Sequence, residues 1–204
     1  MWRAFPTSRN GAAPGAPYHE VAGEFLTLEV NAAVHGLFEG GAVDAMVVDV
    51  HGPGAINIRL LNLTVQLTRG KSDPVWPLHL DTSYDLMICG SQHAKAGTRF
   101  AHIRHTCSWG YTHESVNGIS IGESGELPRC AGELGVRTIS GSADYAFTQE
   151  AQALVPGLET FALNWGLDTN AGDDVPEQQY MRLTRAAHHL HPEASPRLIR
   201  QGVL

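Results

Sequence analysis

Four short apolar runs constrain this chain more than anything else in it. Residues 42–50 read AVDAMVVDV, residues 84–90 YDLMICG, residues 136–140 VRTIS and residues 161–165 FALNW. The first two are β-branched or continuously apolar, as expected of strands covered on both faces, and the last two read as further strands. Helical patterns alternate with them. Val21, Phe25, Leu28, Ala32 and Leu37 fall on one stripe of a helix that Gly40-Gly41 stops. A shorter amphipathic stretch covers 56–67, a helix with Pro128 in its first turn covers 125–134, and a last helix covers 174–190. Asn117-Gly118 between Val116 and Ile119 signals a hairpin over 115–122. The alternation predicts an α/β fold: a mostly parallel sheet flanked by helices, with a β-hairpin insertion contributing to the site. Its expected extent is one domain over 18–192, after an irregular Pro/Gly-rich leader at 1–17 and before a frayed tail at 193–204.

Composition removes several function classes. With 204 residues the chain can bury a full core without disulfides or a structural metal. Its 14 Lys and Arg against 21 Asp and Glu give a net charge of −7, and no basic run is present, which argues against nucleic-acid binding. No apolar run is long enough for a membrane span, and the first 20 residues carry no signal-peptide block, so a cytoplasmic protein is expected. Cys89, Cys107 and Cys130 are odd in number and widely spaced, which fits neither a disulfide framework nor a zinc knuckle. No dinucleotide fingerprint, Walker loop or nucleophile elbow occurs.

The histidines are more informative. Two predicted strands end in one each, at Asp49-Val-His51-Gly52 and Gly90-Ser-Gln-His93. Ligands bind at the carboxyl ends of parallel strands, so both imidazoles are expected in one crevice, either as ligands or as satisfied loop residues. The hairpin strand then ends in Gly122-Glu123. Two histidines and a carboxylate make a reasonable ligand set for zinc or a similar divalent ion. Between them, His102-Ile-Arg-His105-Thr106-Cys107-Ser108 offers two histidines, a thiol and a hydroxyl. One His there reads as an acid, base or nucleophile; the competing reading is a polar loop around a buried thiol. His188, His189 and His191 read as a solvated helix end.

Taken in order, several pieces resemble the D-aminopeptidase family of dinuclear zinc metallopeptidases, the type associated with bacterial dipeptide-transport operons. They are Leu28-Glu-Val-Asn-Ala-Ala-Val34 with Gly36, Asp49-Val-His-Gly52, Gly90-Ser-Gln-His-Ala-Lys-Ala-Gly-Thr98, His105-Thr106, Val116-Asn-Gly118, Gly122-Glu-Ser-Gly125, and Ala131-Gly132 with Gly135-Val136. The resemblance implies that His51 and Glu123 share one zinc and that His93 sits on the other. It assigns His105 the role of catalytic nucleophile, with a proton-shuttle role as the alternative, and leaves Thr106 and Asn117 as substrate contacts. It implies two zincs per subunit, short D-amino-acid peptides as substrates, and a ring-shaped homo-oligomer, a decamer. Two zincs about 4 Å apart polarise a scissile carbonyl and stabilise the oxyanion.

The family also carries an Asp-x-Glu-Gly strand ahead of the first helix, whereas nothing in 1–17 is acidic. The expectation is a shortened chain of a normal enzyme, holding two zincs or fewer. The alternative is a metal-deficient homologue that binds peptide or assembles as a ring. The family's late-strand Lys corresponds to Asn164 here, and a helix Asn to Glu126.

Overall fold

The computed structural model describes residues 18–49, 54–70 and 79–204. They group into two compact units. One comprises the described residues up to Ser83 together with His191–Leu204; the other is continuous, Tyr84–Leu190.

In the first unit, α1 spans His19–Glu39 and ends as predicted, with Gly41 at φ +101° just past it. Its most buried positions include small residues, Gly23, Thr27, Ala32 and Gly36. The reason is close backbone approach. A Cβ on Gly23 would stand 2.6 Å from the Ala55 carbonyl oxygen, and one on Gly36 would stand 2.9 Å from Val203 Cβ. Val203 ends α5, Ala194–Val203, which packs on α1 and is joined to it by the Arg200–Glu39 ion pair. The predicted frayed tail is therefore a helix: its apolar side finds a notch that only the folded chain supplies. β1, Met46–Asp49, pairs in parallel with β2, Gln66–Arg69. The predicted helix over 56–67 is replaced by turns and the start of β2. Asp49 causes this locally. Its carboxylate accepts from the Ala55 and Ile56 amides, each at 2.9 Å, and pairs with Arg69 at 2.7 Å, which ties 55–56 to the ends of both strands.

The second unit is built on a four-stranded sheet, β3-β6-β7-β8. β3 (Leu86–Gln92), β6 (Arg137–Asp144) and β7 (Glu159–Gly166) run parallel, and β8 (Ala187–His189) is antiparallel at the edge. The predicted last helix thus divides into a short α4, Glu177–Leu183, and β8, so His188 and His189 lie on a strand rather than a helix end. The hairpin forms as predicted, β4 (Ser115–Val116) against β5 (Ile119–Ser120), with Asn117 and Gly118 both at positive φ. α2 is Glu123–Glu133 and α3 is Tyr145–Leu154. The core is small and tight: Ala94, Ala101, Ala143, Ala151 and Leu158 surround Phe147. No helix of the described residues is long and apolar enough to cross a membrane.

Candidate metal centre

His93 is delivered by the end of β3. The pairing of β3 with β6 shifts register between Cys89 and Gln92, and Ser91 sits at φ +54°. Such irregularities re-aim a side chain at a strand end. His93 is 3% exposed. Its Nδ1 lies 3.1 Å from the Ala94 carbonyl, which can only accept, so the neutral ring carries its proton there and keeps its lone pair on Nε2. Metal-binding histidines characteristically donate their second nitrogen in this way. Nε2 is buried without a hydrogen-bond partner and stands 3.5 Å from Glu123 Oε2.

His105 sits on a loop fixed on both sides of it. Preceding it, the His102 amide donates to Asp144 Oδ2 at 3.0 Å, and the fully buried Arg104 donates to Asp168 at 2.8 Å and to the Asn170 carbonyl. Following it, the buried Thr106 hydroxyl accepts from the Ala96 amide at 3.1 Å. Ile103 and Cys107, two residues to either side, adopt φ +46° and +53°. A β-branched residue at positive φ is strained, and strain of this kind collects at functional sites. His105 Nδ1 faces the Ile103 carbonyl at 2.8 Å, which leaves Nε2 as its basic nitrogen. Its ring stacks on His93 at 3.8 Å between centroids and on Trp109 at 4.3 Å.

Glu123 does not end a strand, as the sequence pattern predicts. It is the first residue of α2, following the extended Gly122. A Cβ on Gly122 would meet Lys95 Cβ at 2.7 Å, so glycine is what allows the helix start to reach the segment after His93. Glu150 of α3 fastens the same junction: it accepts from the Lys95 amide at 3.1 Å and from the Ser124 hydroxyl. The Lys95 ammonium donates to the Ser120 carbonyl at 3.2 Å. Glu123 Oε1 accepts from the Cys107 amide at 2.9 Å.

These elements bring His93, His105 and Glu123 together, with their donor atoms within 4.8 Å of one another. Burial alone pushes the Glu123 carboxyl up, but His93, His105 and the Cys107 amide outweigh it and hold it at about 2. Burial likewise opposes a charge on His93, yet Glu123, the Ala94 carbonyl and Asp144 together raise it above its ordinary value. A nitrogen, nitrogen, oxygen set with one orphaned buried nitrogen fits a divalent ion of the zinc class.

His51 lies outside the described residues. Thr106 and Asn117 do not join the cluster: Thr106 is a buried loop anchor, and Asn117 is exposed at the hairpin tip. His102 is not part of it either. Burial and the neighbouring His189, edge-on at 5.1 Å, hold it near 3, so it is a neutral core imidazole. Cys107 is exposed rather than buried, and with Glu114 and Glu126 it forms a second convergent group beside the first. The sequence reading missed Trp109, Arg104 and Glu150. A Trp four residues after a candidate His was a usable signal; nothing local marks Glu150, which acts on Lys95 across 55 positions.

The family model described as D-aminopeptidase matches residues 5–203. Among solved structures, the chain is similar to the Zn-dependent D-aminopeptidase DppA from Bacillus subtilis, a self-compartmentalizing protease. The two are 22% identical, with a TM-score of 0.83 over 98% of this chain and 68% of that one. No curated protein matches.

Proposed function

As the chain belongs to the D-aminopeptidase family, we propose that it is a zinc-dependent aminopeptidase that releases N-terminal D-amino acids from short peptides. The observation that carries this reading is the convergence of His93, His105 and Glu123, with the His93 Nε2 buried and unpartnered. His51 and Glu123 are proposed to share one metal and His93 to sit on the other, as the resemblance implies.

Bound there, zinc supplies Lewis-acid polarisation of the scissile carbonyl. The chain's own residues do the rest. The Ala94 carbonyl and the loop around Thr106 hold the two rings in place. Glu123, anionic over the whole neutral range, supplies fixed negative charge. His105, with its proton on Nδ1, presents Nε2 as the base. Either it takes the proton of a water that attacks the carbonyl carbon and hands that proton to the departing amine, or it attacks the carbonyl carbon itself, the amine leaving with a proton from solvent and a water then hydrolysing the acyl-imidazole to free Nε2. Trp109, packed on the ring, keeps water from its face. Asn117 remains a proposed contact for the peptide, whereas the fully buried Thr106 acts only by anchoring the loop.

The test is hydrolysis of a D-Ala-D-Ala chromogenic analogue. Turnover should need zinc and vanish on chelation and in His93→Ala. His105→Ala should lose about 10²–10⁴-fold, the usual worth of a positioned acid–base group. A quenched acyl adduct on His105 would select direct attack. Folded, zinc-loaded protein that turns over no D-peptide would overturn the reading. Self-compartmentalization is a property of the Bacillus subtilis protein; for this chain we propose a homo-oligomeric ring enclosing the sites, as the resemblance implies.

A further inference from the structure

β6 brings a further acid to the metal centre, one that is not among its convergent donors. Gly141 and Ala143 of this strand face the Phe147 ring, as alternation along a strand allows. The pairing of β6 with β7 then shifts register between Ala143 and Asp144, and such an irregularity turns the last side chain out of the alternation. Asp144 is 1% exposed. Among the described residues no Lys or Arg pairs with it.

Backbone amides take the place of a counter-ion. Oδ1 accepts from the Phe147 amide at 3.2 Å and so caps α3. Oδ2 accepts from the His102 amide at 3.0 Å. The Ala94 amide is a third donor. A carboxylate out of water is costly unless its oxygens are satisfied, and hydrogen bonds to a charged acceptor are the strong ones. These donors come from the segment after His93, from the loop before His105 and from the start of α3, so one side chain fastens all of them.

The Ala94 peptide carries that hold to both rings. Its carbonyl faces His93 Nδ1 at 3.1 Å and accepts from the His105 amide at 3.3 Å. Ala94 is fully buried, so no water can replace these bonds. Because a peptide unit is planar, a tilt at its amide is a tilt at the next carbonyl along the chain only through Ala94 itself, which the fixed amide holds. Displacing it moves the His93 ring and the backbone of the ring stacked on it at 3.8 Å. On the other side, the His102 amide fixes where the loop to His105 starts, and the Ile103 amide donates to the Thr184 carbonyl at 2.7 Å.

Capping α3 does not explain the choice of residue. Ser or Asn caps a helix as well as Asp does, with one oxygen. The bonds to Ala94 and His102 are additional, and both belong to the frame of the metal centre. We propose that Asp144 is the positioning residue of that centre, setting His93 and His105 against each other through the Ala94 peptide and the His102 amide. The proposal rests on the zinc aminopeptidase reading above and deepens it.

Asp144→Ser leaves α3 a cap and removes the second acceptor oxygen. Gln152→Gly, on the exposed side of α3, is the control that loosens the helix away from the centre. Zinc affinity is read by competition with a chromogenic chelator, and kcat and KM are read separately on a D-Ala-D-Ala chromogenic analogue. Asp144→Ser should bind zinc about 10–100-fold more weakly, the usual worth of groups that orient ligands, and should lose more in kcat than in KM. Gln152→Gly should lower the Tm with zinc affinity unchanged. Asp144→Asn keeps shape and cap but turns an amide donor toward another donor; it should bind zinc as weakly as the serine variant, and it decides the matter if that variant does not fold. Wild-type zinc affinity in a folded Asp144 variant, or an equal loss of affinity in Gln152→Gly, overturns the positioning role. Weakened zinc binding in the Asp144 variants, beside a wild type that turns over no D-peptide, supports the positioning role and sinks the aminopeptidase reading. Turnover by the wild type with unchanged zinc affinity in the variants does the reverse, and a wild type that takes up no zinc overturns both.

Discussion

Glu123 and Glu126 stand one helical turn apart on α2 and are driven in opposite directions. Glu123 is held at about 2, so its contribution to stability is present above the ordinary carboxylate range and is lost as pH falls from about 4.5 toward 2. Glu126 is pushed up to about 7, first by burial and then by Glu114. Its sign is reversed: the folded state binds the proton more tightly, and stability falls as pH rises from about 4.5 to 7. Glu126→Gln should therefore raise the Tm of the metal-free protein at pH 7.5, on the order of 2–4 °C if about 1 kcal/mol is recovered, and leave it unchanged at pH 4. Differential scanning fluorimetry across pH reads this directly. The same variant should wake Cys107. Burial, then Glu126, Glu123 and Glu114, push that thiol up to about 12, so despite its exposure it should react with iodoacetamide far more slowly than an ordinary thiol at pH 8. An unchanged alkylation rate in Glu126→Gln would mean that burial alone silences it.

The junction of β3, α2 and α3 is the element that makes a site out of separate residues. Gly122→Ala should force the start of α2 away from Lys95 and lower zinc affinity by about 10–100-fold, the usual cost of disturbing groups that orient ligands. Glu150→Ala should act similarly through the freed Lys95 amide and Ser124 hydroxyl. A zinc titration against a chromogenic chelator measures both, and circular dichroism confirms that the helices persist.

At this scale the sequence was legible where a pattern is local. α1 and its glycine stop, the strand ending at His93, the Asn-Gly hairpin and α2 all follow from periodicity and turn chemistry. It was illegible where the deciding contact is distant. The tail at 194–203 is helical because Gly36 and Glu39 receive it, and 187–189 is a strand because β7 has an open edge. Glu123 reads as the end of an apolar strand, yet Gly122 turns it into a helix start. Among the site residues, His93, His105 and Glu123 were visible as chemistry; their mutual approach, and Trp109 against His105, were not.

At the scale of the whole molecule, the described donors all belong to the continuous unit, between His93 and Glu126. Zinc at 100 times its dissociation constant should stabilise the protein by about 2.7 kcal/mol, with hydrogen-exchange protection gained in residues 93–126 and little change in α1 or α5. Uniform protection would argue that the metal is held elsewhere. For assembly, sedimentation at micromolar concentration should give one species of ring size; a monomer of full peptidase activity would sink the enclosed-ring proposal.

The chain order of the two units has a consequence during synthesis. Residues 84–190 are complete in the nascent polypeptide while α1 still waits for α5, which ends at Val203. At about 5–20 residues per second, the 13 residues from 191 to Val203 occupy the ribosome for roughly one to three seconds. In that interval every residue of the unit that carries His93, His105 and Glu123 is already joined, before the unit that precedes it in sequence has the last piece it needs.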